Sequence, residues 1–262
     1  MNNQLILTLV SSIFISGSAA YLGTLMLSRK MTIVADPLSH LTLPGAALSI
    51  LYGFELFTGV FPFVIGGAIL IWFLGRKTKL PMENLTAIIF AAGVGTALLI
   101  LPIDKAEEAL VGNITNISFA ETLIAVLISI TVIVFVAFMY NKIMLMNINE
   151  DIAKIRGINT NSLDFLYLIS IALVVGLGVY LVGSIITAAL VAIPAGTSKN
   201  ISKSVSSYWR VAIFTGVASS IGGVLIAPLF SAPIGPVIIV INVIFFTMSV
   251  IVSEIIRTPR KG

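Results

Sequence analysis

Cysteine is absent from this sequence, and histidine occurs only once. Without cysteine the chain can form no disulfide, no thiolate metal site and no cysteine nucleophile. Charged residues are also scarce: they make up 10% of the chain, whereas a soluble domain carries about 25%. No GxxxxGK[ST] phosphate loop and no HExxH helix occur, which excludes ATP binding of the P-loop type and a zinc site of the HExxH type.

Hydrophobic residues account for 58% of the 262 residues. This composition predicts an all-α polytopic membrane protein surrounded by lipid. The residues left for loops are too few for a second folded domain, so residues 1–262 are predicted to form a single transmembrane domain. The net charge of +4 arises in the loops and gives no reason to expect a nucleic acid partner.

Apolar runs separated by short polar stretches predict about nine membrane segments, or eight if the shortest is re-entrant. The segment at residues 184–195 is too short to cross the bilayer as a straight helix. The segments are residues 5–27, a stretch ending near Leu51, 57–74, 84–101, 119–140, 165–182, 184–195, 211–227 and 237–256.

The basic residues predict the orientation of these segments. If successive segments cross alternately, every lysine and arginine except Lys105 lies on one side of the membrane, which is fourteen of the fifteen. Positive-inside bias makes that side cytoplasmic. We therefore expect a cell-membrane protein with its N-terminus outside and its C-terminus in the cytoplasm.

The second segment contains the only histidine, His40, four residues after Asp36. Residues at i and i+4 share one face of a helix, so a carboxylate and an imidazole there could hold one divalent cation. Ionisable groups at membrane depth usually face a cavity or a transport path. The alternative is structural: Asp36 caps the helix at Pro37, and His40 bonds a neighbouring helix. The pattern alone leaves both open.

Three further positions are candidates for hinges or for lining a path. Pro44 would free a backbone carbonyl, so the second segment is predicted to be bent or broken. Gly183 separates two apolar runs, and Pro194 interrupts the second of them.

The longest polar stretch, residues 141–164, contains signals for a short helix. Asn149 or Glu150 could begin it and Gly157 could end it. This element would lie on the side of the membrane that carries the basic residues.

Five segments, taken in order, give the chain a family resemblance. The run A-D-P-L-S-H-L-T-L-P-G-A-A-L at 35–48 resembles the G-D-x-L-x-H-x-x-L-x-G-V-A segment of the membrane permeases of bacterial ABC importers for zinc, manganese or iron. Residues 149–158 are similar to that family's D-x-x-x-A-x-x-x-G-(V/I) cytoplasmic segment. The other matching runs are residues 108–114, 182–197 and 231–236.

The resemblance implies an ABC importer permease bundle that carries zinc, manganese or iron and holds no permanent cofactor. It implies that Asp36 and His40 bind the ion in transit, and that Glu150, Asp151, Ala153 and Gly157 belong to a segment that docks on a separate ATPase. Ala153 is then expected to stay small to fit a groove of that ATPase. The implied partners are the cytoplasmic ATPase, an extracytoplasmic metal-binding protein and a second permease copy, so the chain itself is no enzyme.

The chain departs from the family pattern in three ways: Ala35 replaces the usual glycine, Ser231 replaces a common aspartate, and a second histidine is lacking. Two other readings remain. One is a self-sufficient proton-linked cation carrier or channel, which would not need residues 149–157. The other is a permease-like interaction protein in which Asp36 and His40 are structural. The sequence does not identify which metal ion is carried, although the lack of cysteine disfavours copper(I).

Overall fold

The computed structural model describes residues 3–78, 80–100 and 117–257, and these ranges are almost entirely helical. They contain eleven α-helices, numbered here in chain order, and two 3₁₀ turns, Thr32–Val34 and Ala227–Phe230. The helices are α1 (Asn3–Ser28), α2 (Ala35–Leu41), α3 (Leu43–Tyr52), α4 (Leu56–Lys77), α5 (Met82–Ile100), α6 (Phe119–Ile148), α7 (Glu150–Ile155), α8 (Thr160–Val182), α9 (Thr187–Ile201), α10 (Val205–Ile226) and α11 (Ile234–Arg257).

Helices α1 and α8 form the centre of the bundle. Most residues of α1 from Ser11 to Met26 are buried, and α1 packs against α6, α9 and α10. Small residues on α1 permit these close contacts, since a Cβ at Gly23 would lie 2.2 Å from the carbonyl oxygen of Val191 on α9. Across another face, the hydroxyls of Ser16 and Ser220 are 3.1 Å apart. Close packing and hydrogen bonds between hydroxyls stabilise this core. This is expected in a membrane, because the surrounding lipid is as apolar as the helices and the hydrophobic effect contributes little to their association.

The second apolar segment is broken into two helices, α2 and α3, which meet at Thr42. Pro44 lies in the first turn of α3, where a missing N–H is tolerated. The joint therefore precedes the proline by two residues. Since Pro44 has no N–H, the carbonyl of His40 has no donor at i+4.

Six helices are long and apolar enough to cross a membrane by length and composition: α1, α4, α6, α8, α10 with the 3₁₀ turn that follows it, and α11. The count of about nine is not confirmed for the described residues. Residues 84–100 of α5 form a shorter apolar helix, α2 and α3 are shorter still, and α9 has 15 residues including Pro194.

Two predicted segments have bounds different from those of the helices that form there. The fifth segment was expected to end near Tyr140, but α6 continues to Ile148, because the polar residues that follow Tyr140 are compatible with a helix and no breaker occurs before Asn149. The segment predicted at residues 184–195 is instead a helix, α9, from Thr187 to Ile201. Gly183, with a φ of +87° and a ψ of 168°, ends α8 and begins the turn that delays α9. Residues 108–114 and Lys105 lie outside the described residues.

Candidate metal site and coupling segment

Asp36 and His40 lie on one face of α2, near the break in the second segment. The Nε2 atom of His40 is 3.8 Å from Oδ1 of Asp36, too far for a hydrogen bond between them. Two ligand atoms on a tetrahedral zinc ion are about 3.3 Å apart, given metal–ligand distances near 2.0–2.1 Å. A small side-chain rotation would therefore bring both atoms into the coordination shell of one ion.

The two side chains differ in their surroundings. The Asp36 side chain is 51% exposed, whereas that of His40 is 16% exposed. The imidazole stands edge-on to the ring of Phe90 on α5, with centroids 4.9 Å apart and planes at 86°. The other imidazole nitrogen, Nδ1, is buried and has no hydrogen-bond partner within the described ranges. His40 is thus held by packing, while the carboxylate beside it stays accessible.

Helix α5 approaches the break at Gly93. A Cβ at this position would lie 2.6 Å from Cα of Leu41 and 2.9 Å from the carbonyl oxygen of His40. Only glycine allows so close a backbone approach. The contact fixes the backbone that carries His40, so Gly93 and Phe90 belong to the site although neither carries a metal-binding group.

Ser39 joins α2 to the turn between α8 and α9. Its hydroxyl lies 2.7 Å from the carbonyl oxygen of Asp36 and 2.8 Å from that of Ser184, and it is fully buried. Gly183, the preceding residue, was predicted as a hinge, and the carbonyl of Gly183 also accepts the hydroxyl of Thr187. The broken helix and the 183–186 turn are therefore tied directly together.

The other predicted hinge, Pro194, lies inside α9 and is buried. It faces α10, where a Cβ at Gly216 would lie 3.7 Å from its ring. Within the described residues, no cluster of three or more His, Asp or Glu side chains forms a fuller metal site. The structure therefore brings Asp36 and His40 together, whereas Pro44 lies in the first turn of α3, Gly183 ends α8 and Pro194 lies inside α9.

The segment predicted to dock on an ATPase forms α7. Its N-terminus is capped by Asn149, whose side-chain oxygen accepts the N–H groups of Asp151 (2.9 Å) and Ile152 (3.1 Å). At the other end Gly157 has a φ of +76°, and its N–H donates to the carbonyl of Lys154. These two caps stabilise a helix of six residues that would be marginal alone.

Glu150 and Lys154 form an ion pair on α7, with Oε1 and Nζ 2.8 Å apart. The hydrogen bond from Lys154 lowers the pKa of the Glu150 carboxyl from its ordinary value, with smaller contributions from nearby charges that include Arg29. The same bond raises the pKa of Lys154. Both side chains are more than half exposed, so the pair contributes little to stability.

Ala153 lies on the inner face of α7 and is fully buried within this chain. Ala153 therefore packs against its own chain, which is a second reason for a small residue here; that it also fits a groove of the ATPase stays a prediction. Sequence reasoning missed the outward residues, Ile152 (43% exposed) and Ile155 (85% exposed). Their i,i+3 spacing was the available signal.

The sequence is similar to a family of transport proteins and to several of its members. The sequence model described as the ABC 3 transport family matches residues 1–253. The manganese transport system membrane protein MntC of Listeria innocua is 24% identical over 258 residues, covering 97% of this chain and 90% of that protein. The high-affinity zinc uptake system membrane protein ZnuB of Buchnera aphidicola is 25% identical over 235 residues, covering 87% of this chain and 90% of that protein.

A solved structure has a similar fold. PsaBC from Streptococcus pneumoniae in complex with Fab superposes with a TM-score of 0.79 at 23% identity, covering 92% of this chain and 89% of that chain. The likeness in fold therefore extends over nearly the whole chain.

Proposed function

The chain belongs to the ABC 3 transport family, and from that premise we propose that it is the membrane permease subunit of an ATP-driven importer of divalent metal ions. Its substrate is zinc, manganese or iron, and it provides the path through the membrane. The observation that carries this proposal is the Asp36–His40 pair, with its ligand atoms 3.8 Å apart and its carboxylate half exposed.

In this proposal Asp36 and His40 bind the ion in transit. One carboxylate and one imidazole suit Zn²⁺, Mn²⁺ and Fe²⁺, with water or backbone carbonyls completing the shell. Two protein ligands bind weakly enough to release the ion, whereas a closed four-ligand site would trap it. The imidazole must be neutral to coordinate, so binding weakens in acid.

Helix α7 is proposed to dock on a separate ATPase subunit, which hydrolyses the ATP. Its exposed isoleucines offer an apolar contact, and its caps make it rigid enough to transmit movement. A self-sufficient carrier would have no use for such a projecting helix, so α7 supports the ABC-type proposal. The complete importer would include an extracytoplasmic metal-binding protein and a second copy of this chain.

The orientation is part of the proposal. Arg29 directly follows α1, Arg76 lies near the end of α4, and Lys154 lies on α7. These helix ends, together with the start of α8, are called the basic side below. We place the basic side in the cytoplasm. A cysteine introduced at position 154 should react with an impermeant reagent only after the cells are permeabilised; labelling of intact cells would contradict this.

Metal uptake by variants tests the substrate path. Asp36→Asn and His40→Ala should lower uptake by roughly tenfold or more, because each removes a ligand. Leu43→Ala is the control: Leu43 is buried close by but has no ligand atom. Expression and assembly with the ATPase should be unchanged in all three. Near-normal uptake by His40→Ala across a range of metal concentrations would return the pair to a structural role.

A further inference from the structure

A cavity of about 220 Å³ lies on the basic side of the bundle, where α1 and α4 end and α8 begins. Neither Asp36 nor His40 lines it. The lining residues with polar or charged side-chain groups are Arg29 at the end of α1, Trp72 and Arg76 from α4, and Asn161, Asp164 and Tyr167 from α8.

Positive charge predominates in this cavity, which has two arginines and one carboxylate among these residues. Arg29 is held in place: its Nη1 is 2.6 Å from Oδ1 of Asp164, and its guanidinium lies 5.3 Å from the centre of the Tyr167 ring. Arg76 stacks on Trp72 with its guanidinium 4.6 Å from the ring centre. Stacking orients the planar guanidinium and leaves its N–H edge free for an oxyanion.

Two of the residues that line this cavity have buried donors without a partner among the described residues. The hydroxyl of Tyr167, a residue with 0% exposure, has no hydrogen-bond partner in the described part of the chain, and neither does Nε1–H of Trp72. Buried polar groups without partners are rare and costly. Since Arg76 and Trp72 carry donors alone, and Tyr167 can donate, the group that best completes the cavity is a charged acceptor.

The approach to the cavity along α4 is apolar. Ile69 and Phe73 are 43% and 48% exposed, and they share a helix face with Trp72 and Arg76 by their i, i+3, i+4 and i+7 spacing. This face thus carries exposed apolar residues around Trp72 and ends in Arg76 near the end of the membrane segment. Tryptophan and arginine are typical of the headgroup level, and basic pockets between helices there bind anionic headgroups.

We propose that this cavity binds the phosphate of an anionic phospholipid from the leaflet on the basic side, with the acyl chains lying along Ile69 and Phe73. Arg76 binds the phosphate through its free edge, and Tyr167 and Trp72 donate to its oxygens. The apolar approach favours a phospholipid over free phosphate. The site lies outside the metal path, and its occupancy does not depend on the proposed transport function.

Native mass spectrometry of the purified permease tests this directly. The protein is stripped of lipid and titrated with phosphatidylglycerol, with phosphatidylcholine of the same acyl chains, and with sn-glycerol 3-phosphate as a soluble source. We expect one phosphatidylglycerol per chain to bind more tightly than the others. Arg76→Gln should weaken that binding about tenfold, because a charged hydrogen bond is lost.

Two further variants make the test specific. Tyr167→Phe removes only the buried hydroxyl and should weaken binding of phosphatidylglycerol a few-fold. Arg210→Gln removes the same charge from an exposed arginine on α10 that does not line this cavity, and it should leave binding unchanged.

Three outcomes would overturn the proposal. The first is equal effects of Arg76→Gln and Arg210→Gln on binding of phosphatidylglycerol. The second is binding of glycerol phosphate as tight as that of the lipid, which would identify a soluble phosphate as the ligand. The third is unchanged lipid binding combined with loss of ATPase assembly in Arg76→Gln, which would assign the cavity to a partner protein.

Discussion

Replacing Gly93 by alanine tests whether the close approach of α5 positions the metal site. The added Cβ would lie 2.6 Å from Cα of Leu41 and 2.9 Å from the carbonyl oxygen of His40, whereas ordinary contact begins at 3.4 Å. The first separation would have to grow by 0.8 Å, the difference between 3.4 and 2.6 Å. Since both neighbours are backbone atoms, the displacement must move α2, α5 or both.

The energetic cost follows from two opposing effects. Overpacking of a tight core costs about 1–3 kcal/mol, and rigid backbone neighbours place this case in the upper part of that range. Alanine is the better helix former by about 1 kcal/mol, which offsets part of the cost. We therefore expect a net destabilisation of about 1–2 kcal/mol, or a fall of several degrees in the unfolding temperature.

Gly95→Ala is the matched control, since a Cβ at Gly95 would meet nothing within 4 Å. That variant should be neutral or slightly more stable. Thermal unfolding in detergent and metal uptake in cells are measured for both. Gly93→Ala should lose stability and uptake together, because the backbone of α2, which carries both Asp36 and His40, is displaced. If Gly93→Ala matches Gly95→Ala in both measurements, the close contact does not position the site.

Three other predictions concern the coupling segment and the link to it. Ile155→Asp should reduce stimulated ATP hydrolysis and ATPase assembly, because it places a charge on the proposed docking face. The control is Val205→Asp, which changes an exposed apolar residue at the start of α10 and should leave both measurements unchanged. Equal loss in the two variants would contradict docking through α7. The pKa of Glu150 is lowered in the folded chain, so its pairing with Lys154 makes a small contribution to α7 at neutral pH that is lost as the pH falls below the ordinary carboxyl range near about 4. Hydrogen exchange of α7, corrected for intrinsic rates, should be constant from neutral pH to pH 5 and slightly faster at pH 3. A change already at pH 6 would exclude this pair as its cause. Ser39→Ala should lower both uptake and thermal stability, since it removes the hydroxyl that links α2 to Ser184. The control is Ser49→Ala, which loses a bond only to Gly45 of its own helix and should affect uptake little. Indistinguishable uptake in the two variants would show that the link to Ser184 is dispensable.

The sequence was sufficient to predict features set by local chemistry. The i,i+4 spacing of Asp36 and His40 requires one helix face, and the structure has them on one face of α2. Asn149 and Gly157 are strong cap residues, and the short helix they predict is present as Glu150–Ile155. In each case the determining atoms are within a few residues of one another.

Features set by distant parts of the chain could not be predicted in the same way. Gly93 and Gly95 are two residues apart and equally suited to a close contact, yet only Gly93 faces Leu41, because the rotation of α5 about its axis depends on tertiary packing. The break at Thr42 rather than at Pro44 is a further example. A proline is tolerated in the first turn of a helix, so its position does not fix where the preceding helix ends.

The same tertiary contacts suggest how α7 and the metal site could communicate. Helix α8 begins three residues after Gly157, close to α7, and runs without interruption to Gly183. There the carbonyl of Ser184 contacts the hydroxyl of Ser39, which neighbours His40. Helix α8 has 23 residues and is stiff over this length. A displacement of α7 would therefore move α8 as a whole and with it the 183–186 turn. The positive φ of Gly183 then matters, because the turn must change direction there without strain while it holds α2. Gly183 and the proposed ligands Asp36 and His40 would then move as one mechanical unit, although they are about 145 residues apart in sequence.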